Sequence, residues 1–521
     1  MPAPRPSPVP LPTQLSWRPG HFTLSHGTAV RACPGAEPAA ALLRTLLAPA
    51  TGLPLPSSPD GPLVLTLDPQ LRGLGDEGYG LTVGPDALLL RAARPTGLLR
   101  GIQTLRQLLP PEALSGLPRR GTPWQLPCVE ITDVPRNAWR GFMLDVARHF
   151  QPVSVLRRYV DLLALHKLNV LHLHLTDDQG WRMPVAAYPR LTEVGGRRAE
   201  SMVGPAGSAV HDGIPHQGAY TRAELTGLVA HAAARGVTVV PELEMPGHTR
   251  AALAAHPEFG NVPERRLDVW TDWGVCDTVL AVDEPVLAFC RTVLDEVLDV
   301  FPSRHIHIGG DECPTTEWAV SPAARARAAA EGLPDTDALR GWFLGRIGAH
   351  LVERGRIPTA WAESGEGMPP EFTVMTWRDP EHTRLALKQG HSVISCHHRA
   401  AYLDYAQSAD PDEPQAQPGA VVDLRAVHGH ELPDDTATAG ELLGMQAQLW
   451  TEFAPTAGHV DRLVFPRLCA LADRAWYGPA PWPDVHGRLR AHADRLAALG
   501  VRHGPLDPYV PLPHRSEKGQ S

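Results

Sequence analysis

Between residues 140 and 450 the chain alternates short β-rich apolar runs with long amphipathic stretches, and no other feature limits its fold so tightly. The runs are RGFMLDVA (140–147), NVLHLHL (169–175), VTVVPEL (237–243), HIHIGGDE (305–312), RIPTAWAE (356–363), FTVMTWR (372–378), SVISC (392–396) and GMQAQLW (444–450). Strands separated by helix-length segments pair in parallel, and eight such units are what a closed (β/α)8 barrel requires. The intervening helices fit. Residues 154–167 place Val155, Leu156, Tyr159, Leu162 and Leu163 on one face, Thr221 and Glu224 form a capping box, and Asp283-Glu284-Pro285 opens a helix that runs to about Phe301.

Upstream the texture differs. GPLVLTL (61–67), then YGLTV and ALLLRA around the turn GPD (84–86), then a helical run TGLLRGIQTLRQLLPP stopped by Pro110 and Pro111, describe a hairpin followed by a helix. Residues 1–133 therefore read as a smaller α+β domain, 134–505 as the barrel, and 506–521 as an irregular tail. A chain of 521 residues, 43% hydrophobic and 20% charged, has enough apolar surface for this arrangement.

The net charge of −9 argues against polyanionic partners, so neither nucleic acid nor an anionic membrane surface is expected. No stretch reaches the roughly 18 apolar residues of a spanning helix. MPAPRPSPVPLPTQLSW carries no signal-type apolar core, and the seven cysteines contain no CxxC pair, which together predict a cytoplasmic protein with reduced thiols. Cys313 reads as a space filler beside Glu312.

Barrels place their chemistry where strands end at the C-terminal face, so the residues that close each run are the informative ones. They are Asp145 and Arg148; Asp177 and Asp178; Glu242, Glu244 and His248; Asp311 and Glu312; Trp361 and Glu363; Trp377 and Arg378; His397, Tyr402 and Asp404; Trp450 and Glu452. Glu242, Glu244 and Asp145 suit buried hydrogen-bond networks. Acids with tryptophans and few bases suit a neutral ligand with apolar faces and hydroxyl edges, which describes a sugar ring.

Glycoside cleavage normally uses two carboxylates placed across the scissile bond, yet Asp311 and Glu312 are neighbours. Consecutive strand residues point to opposite faces, so both reach one site only where the strand dissolves, and Gly309-Gly310 gives that freedom. The longer Glu312, its pKa raised by burial and by Asp311, suits a general acid. Asp311 then holds a group of the substrate that itself acts as nucleophile.

RGFMLDVARHF, NVLHLHLTDDQGW, VVPELEMPGH, HIGGDE, YLD and QLWTE, in this order, closely resemble the β-N-acetylhexosaminidases of glycoside hydrolase family 20, over nearly the whole chain. The resemblance implies an exo-acting, retaining enzyme that needs no cofactor and no metal and takes terminal β-linked N-acetylglucosamine or N-acetylgalactosamine. It implies Glu312 as acid/base and Asp311 as the carboxylate that orients the 2-acetamido group and stabilises an oxazolinium intermediate. Arg148 would bind the C3 and C4 hydroxyls and Glu452 the C4 and C6 side, with Asp177 and His248 tuning the acid. Tyr402, with Asp404 beside it, would hydrogen-bond the acetamido carbonyl, and Trp361, Trp377 and Trp450 would form the aromatic walls. The segment 404–435 matches least well.

Two other readings compete. His172, His174, His248, His305 and His307 with Asp177 or Asp178 are residue types that ligate zinc and would make a metal-dependent barrel hydrolase, although both HxH pairs lie within strands, where such histidines are commonly hydrogen-bonded core. An inactive carbohydrate-binding descendant would lack an acid at the centre, whereas Asp311, Glu312, Arg148 and Tyr402 are all present.

Overall fold

The computed structural model describes residues 5–362, 367–434 and 438–507; Glu363 and residues 508–521 of the expected tail lie outside the described residues. All eight runs form strands of one closed parallel barrel: Trp139–Asp145, Val170–His174, Thr238–Glu242, His305–His307, Ile357–Ala362, Thr373–Thr376, Ser392–Ser395 and Glu441–Leu449, each beside its neighbour in sequence. The helix Val153–Leu165 buries Leu156, Tyr159, Leu162 and Leu163, and the Thr221–Glu224 capping box is closed by both of its backbone bonds. Inside the barrel, Trp139, Val170, Val240, Trp361, Met375, Ile394 and Cys396 form one apolar cluster.

Two strands differ from the expectation, each for a local reason. The fourth ends at His307, so Asp311 and Glu312 sit beyond the ladder rather than within it. The eighth starts earlier, at Glu441, and carries a bulge opposite Val393 and Ile394. Gly444 sits at the bulge with φ 148, where an added Cβ would lie 2.0 Å from the Trp139 carbonyl oxygen, so only glycine fits.

The N-terminal part holds more than a hairpin and a helix. Its sheet has six strands, in the spatial order Gln14–Thr23, Gln125–Asp133, Tyr79–Val83, Leu88–Ala92, Leu63–Leu67, Val30–Ala32, with helices Glu37–Thr51 and Pro95–Leu108. Pro19 is tolerated because its strand is an edge, with the register broken between Trp17 and His21.

The seam between sheet and barrel is polar and buried. Lys167, fully buried at φ 58, places its ammonium 2.6 Å from Asp133 Oδ2 and 4.7 Å over the Trp476 ring. Asp133 also accepts from Tyr79 (2.7 Å), the Trp476 indole (2.8 Å) and the Thr13 amide (2.9 Å). Removing one partner of a buried pair strands the other's charge. Lys167→Met is therefore expected to destabilise the protein by about 3–5 kcal/mol, read as a lower urea midpoint; an unchanged midpoint would show that the other donors suffice.

Candidate active site

The cavity at the C-terminal face starts from Asp145, the last residue of the first strand. Its Oδ1 accepts the amides of Ala147 (2.8 Å) and Arg148 (3.1 Å) and its Oδ2 accepts from Thr451, which turns the chain so that Arg148 points inward. The guanidinium of Arg148 is held on three sides: Nε donates to Gln179 Oε1 (3.0 Å), Nη2 meets Asp177 Oδ2 (2.8 Å), and the Trp450 ring lies 5.0 Å from its centre. Nη1 is buried without a hydrogen-bond partner. Burial opposes the charge of Arg148, but Asp177, Asp145 and Glu452 together hold its pKa above the ordinary value.

Asp177 leads from this floor to the acid at the mouth. Its Oδ2 also takes His174 Nε2 (2.7 Å), and His248 Nδ1 stands 3.2 Å from both Asp177 Oδ1 and Asp178 Oδ2. Burial works against the His248 imidazolium, but these two carboxylates win and hold its pKa well above the usual histidine range. His248 Nε2 then lies 3.8 Å from Glu312 Oε2. His248 (φ 54) and Glu312 (φ 41) both occupy the left-handed region, a strained placement for non-glycine residues that recurs where function fixes geometry.

The glycines before Asp311 are required by space as well as by φ (65 and 91). A Cβ on Gly309 would sit 1.6 Å from the Glu244 carboxyl, and one on Gly310 would press on Leu344. Glu244 accepts the Gly310 amide (3.3 Å), and burial, then Asp311 and Glu242, push the pKa of its carboxyl well above the ordinary range. Burial first and Asp311 second also raise the pKa of Glu312, while His248 and Arg148 pull it down. A raised carboxyl that keeps its proton is what protonating a leaving group near neutral pH demands.

All the residues singled out above as substrate contacts or catalysts line one cavity of ≈ 270 Å³, except Trp361. Trp377 and Tyr402 stack with ring centres 6.4 Å apart, and Trp450 lies 6.2 Å from Tyr402. Asp404 and Glu452 line the same cavity; burial first and the Glu452 charge second raise the pKa of Asp404 well above the carboxylate range. Trp361 is 1% exposed and lies one layer down, 6.0 Å from Trp450, donating its indole N–H to Glu242 (2.5 Å). Four buried polar atoms of the lining residues have no hydrogen-bond partner: Arg148 Nη1, Asp311 Oδ1, Asp404 Oδ1 and Trp377 Nε1. Buried polar groups of a native protein are ordinarily paired, so these four atoms are positions at which a polar ligand in the cavity would find partners.

Other lining residues carried no signal in the sequence: Ala206, Trp273, Gly274 and Val275 on one wall, Tyr405 and Gln417 on another. Ala206 and residues 273–275 come from irregular loops, where neither periodicity nor strand position marks a side chain as facing inward. The 404–435 segment supplies the second wall through a short pairing of Tyr405–Ala406 with Gln417–Val421.

The histidines of the metal reading fall in different places: three gather around Glu242, His248 stands at Asp177 and Asp178, and His305 lies apart. His305 turns to the opposite end of the barrel, edge-on to Trp139 at 5.1 Å. His172, His174 and His307 surround Glu242 within 3.0 Å, and the Gln446 amide lies 3.0 Å from His172 Nδ1. His174 Nδ1 (2.7 Å) and the Trp361 indole (2.5 Å) hydrogen-bond the two Glu242 oxygens, so this carboxylate is engaged within the barrel. A roomier cavity of ≈ 590 Å³ lies at the opposite end, lined by Trp139, His305, Glu77 and Arg100. Of the charged groups that line it, Glu77 and Arg100 pair with each other at 2.7 Å, and it sits at the face that barrels use for stability.

The carboxyl face of this barrel thus gathers what cutting a glycosidic bond requires, and the chain is a glycoside hydrolase. Residues 137–479 match the glycosyl hydrolase family 20 catalytic domain and residues 5–134 match domain 2 of the same family. The chain belongs to glycoside hydrolase family 20. It is 36% identical over 441 residues to a beta-hexosaminidase of Akkermansia muciniphila, covering 82% of this chain and 86% of that one. Among solved structures it resembles the exo-β-N-acetylglucosaminidase of Vibrio harveyi in complex with N-acetylglucosamine (TM-score 0.85, 29% identity, 96% of this chain and 80% of that one). It is likewise similar to the β-N-acetylhexosaminidase of Streptomyces coelicolor A3(2) (TM-score 0.82, 30% identity, 99% of each chain). Among the described residues no helix is long and apolar enough to cross a membrane.

Proposed function

We propose that the protein is an exo-acting, retaining glycosidase that removes terminal non-reducing β-linked N-acetylglucosamine or N-acetylgalactosamine by substrate-assisted catalysis. The observation that carries this reading is the adjacency of Asp311 and Glu312 beyond the fourth strand, both lining the cavity, with Asp311 Oδ1 buried and without a hydrogen-bond partner.

Asp311 accepts the acetamido N–H and so directs the acetamido carbonyl oxygen at C1, while the Tyr402 hydroxyl donates to that oxygen. As the C1–oxygen bond breaks, Glu312 gives its proton to the leaving oxygen, and the acetamido oxygen closes on C1 as an oxazolinium ion. Its positive charge faces Asp311. Water then enters at C1, gives a proton to Glu312, and reopens the ring with the β configuration restored. Arg148 Nη1 donates to the C3 and C4 hydroxyls; Glu452 and Asp404 take the C4 and C6 side. Asp177 and His248 set the proton affinity of Glu312. Trp377 and Trp450 wall the sugar, and Trp361 supports them from below. A single ring fits a cavity of ≈ 270 Å³, at the small end of ligand sites, which supports attack on chain ends.

Each step uses groups of the chain and the substrate, so no cofactor or metal enters the scheme. The domain division at 133/134 and a cytoplasmic setting belong to the same proposal; the seven free cysteines support the latter.

The test is hydrolysis of 4-nitrophenyl N-acetyl-β-D-glucosaminide beside the matching plain glucoside, with an oxazoline-mimicking thiazoline in parallel samples. Cleavage of the acetamido substrate alone, blocked by the thiazoline, is the expected result. Comparable cleavage of the plain glucoside would remove the neighbouring-group mechanism.

A further inference from the structure

Gln179 neither lines the cavity nor touches a reacting atom in the scheme above, yet it joins two parts of the site. Its Oε1 accepts from Arg148 Nε (3.0 Å) and its Nε2 donates to the backbone carbonyl of Asp272 (2.9 Å). Asp272 immediately precedes Trp273, Gly274 and Val275, which line the cavity together with Ala206. The backbone of Gln179 is held as well: its carbonyl accepts from Arg198 Nη1 (3.2 Å), and the Arg198 guanidinium lies 5.4 Å from the Trp273 ring. Gln179 itself is 1% exposed.

The wall it holds stands at the mouth. Ala206 and Val275 are exposed, as is Glu312, whereas Arg148, Asp177 and Asp404 at the floor are buried. A terminal sugar seated on the floor directs its leaving group toward Glu312, and therefore toward this apolar wall. The wall is braced from outside too, because Met202 donates its amide to the Thr271 carbonyl (2.8 Å) and His211 Nε2 meets the Asp272 carboxylate at 2.7 Å.

We propose that Gln179 is a positioning residue that couples Arg148 to the 272–275 wall, so that orientation of the terminal sugar and acceptance of an extended leaving group are set together. The inference rests on the glycosidase reading above. The chemistry explains the residue type. A primary amide accepts on one side and donates on the other without charge. Glutamate keeps the acceptor for Arg148 but turns a second oxygen on the Asp272 carbonyl, and methionine keeps neither bond. The wall meets a leaving group through the apolar surfaces of Ala206, Trp273 and Val275, which fits the C–H face of a second sugar ring.

The experiment compares Gln179→Glu with Gln179→Met by two readouts. One is the Kd of the thiazoline, which fills the sugar subsite and has no leaving group; the other is KM and kcat for a β-1,4-linked N-acetylglucosamine disaccharide. Gln179→Glu should hold the thiazoline Kd within about threefold while KM for the disaccharide rises about tenfold or more, since displacement of a positioning contact by a fraction of an ångström carries costs of this order. Gln179→Met should weaken both by about tenfold, mainly through Kd and KM, as the Arg148 fork loses its support. His211→Ala, at a half-buried position, loosens the same Asp272 from the other side and should raise the disaccharide KM alone, which keeps the test open if Gln179→Glu does not fold.

Equal losses on both readouts for Gln179→Glu and for His211→Ala, or no change in either, would overturn the coupling. A wild-type protein that neither binds the thiazoline nor cuts the disaccharide would overturn the glycosidase reading on which the coupling depends.

Discussion

Asp311→Asn is expected to lower kcat/KM by about 10²–10³ for every leaving group, the scale seen when one preorganised electrostatic contact to a developing charge is removed. The variant retains the shape of the site but no longer places a carboxylate against the acetamido nitrogen or opposite the oxazolinium charge. Because the nucleophile itself is disabled, a good leaving group cannot rescue the rate.

The same substitution should also move the pH profile. Asp311 is, after burial, the largest cause of the raised Glu312 pKa. A general acid works only while protonated, so activity declines as pH climbs through that pKa. Removing the Asp311 charge lowers it, and the alkaline limb should shift toward lower pH. An alkaline limb that stays put, together with a rate close to wild type, would rule out both roles.

Glu312→Gln is the second large effect, and its signature is selectivity. Loss of a general acid typically removes about 10²–10⁴ of rate where the leaving group needs a proton. The disaccharide, whose leaving alkoxide is strongly basic, should lose nearly all turnover, while the 4-nitrophenyl substrate, whose phenolate departs readily, should lose far less in its first step. Parallel kcat/KM measurements on the two substrates separate the outcomes, and an equal loss on both would assign the proton to another group. Glu312 is the half-exposed end of a line that begins at the fully buried Asp177, so its proton can exchange with solvent between turnovers while its proton affinity is set from within.

The barrel was legible because its strands are short, apolar and separated by helices with strong periodicity, so each run could be found from local pattern alone. The fourth strand exposes the limit. HIHIGG reads as one strand, but two glycines at positive φ end the ladder after His307. The N-terminal sheet was only half visible: Pro19 disguised an edge strand, and Val30–Ala32 is too short for any alternation to register. In the site, charged residues at strand ends announced themselves. Trp361 sat in the right strand but one layer too deep to line the cavity, because depth within a barrel is a tertiary property. Ala206 and the 273–275 wall lie on loops whose small or apolar residues carry no local cue, and Gln179 lies inside NVLHLHLTDDQGW, where nothing local reveals its two-sided role.

Lys167 and Asp133, buried together at the seam between sheet and barrel, make the accessory part more than a passenger. A lysine committed to the interior has its counter-charge on the other side of the domain boundary, so each half completes the electrostatics of its neighbour. The junction between the two matched family regions, 5–134 and 137–479, is therefore a seam in sequence but not in cooperativity: a barrel separated there would carry an unmatched cation where it had been dry, and the sheet is better regarded as the outermost course of the barrel's own masonry than as a detachable module.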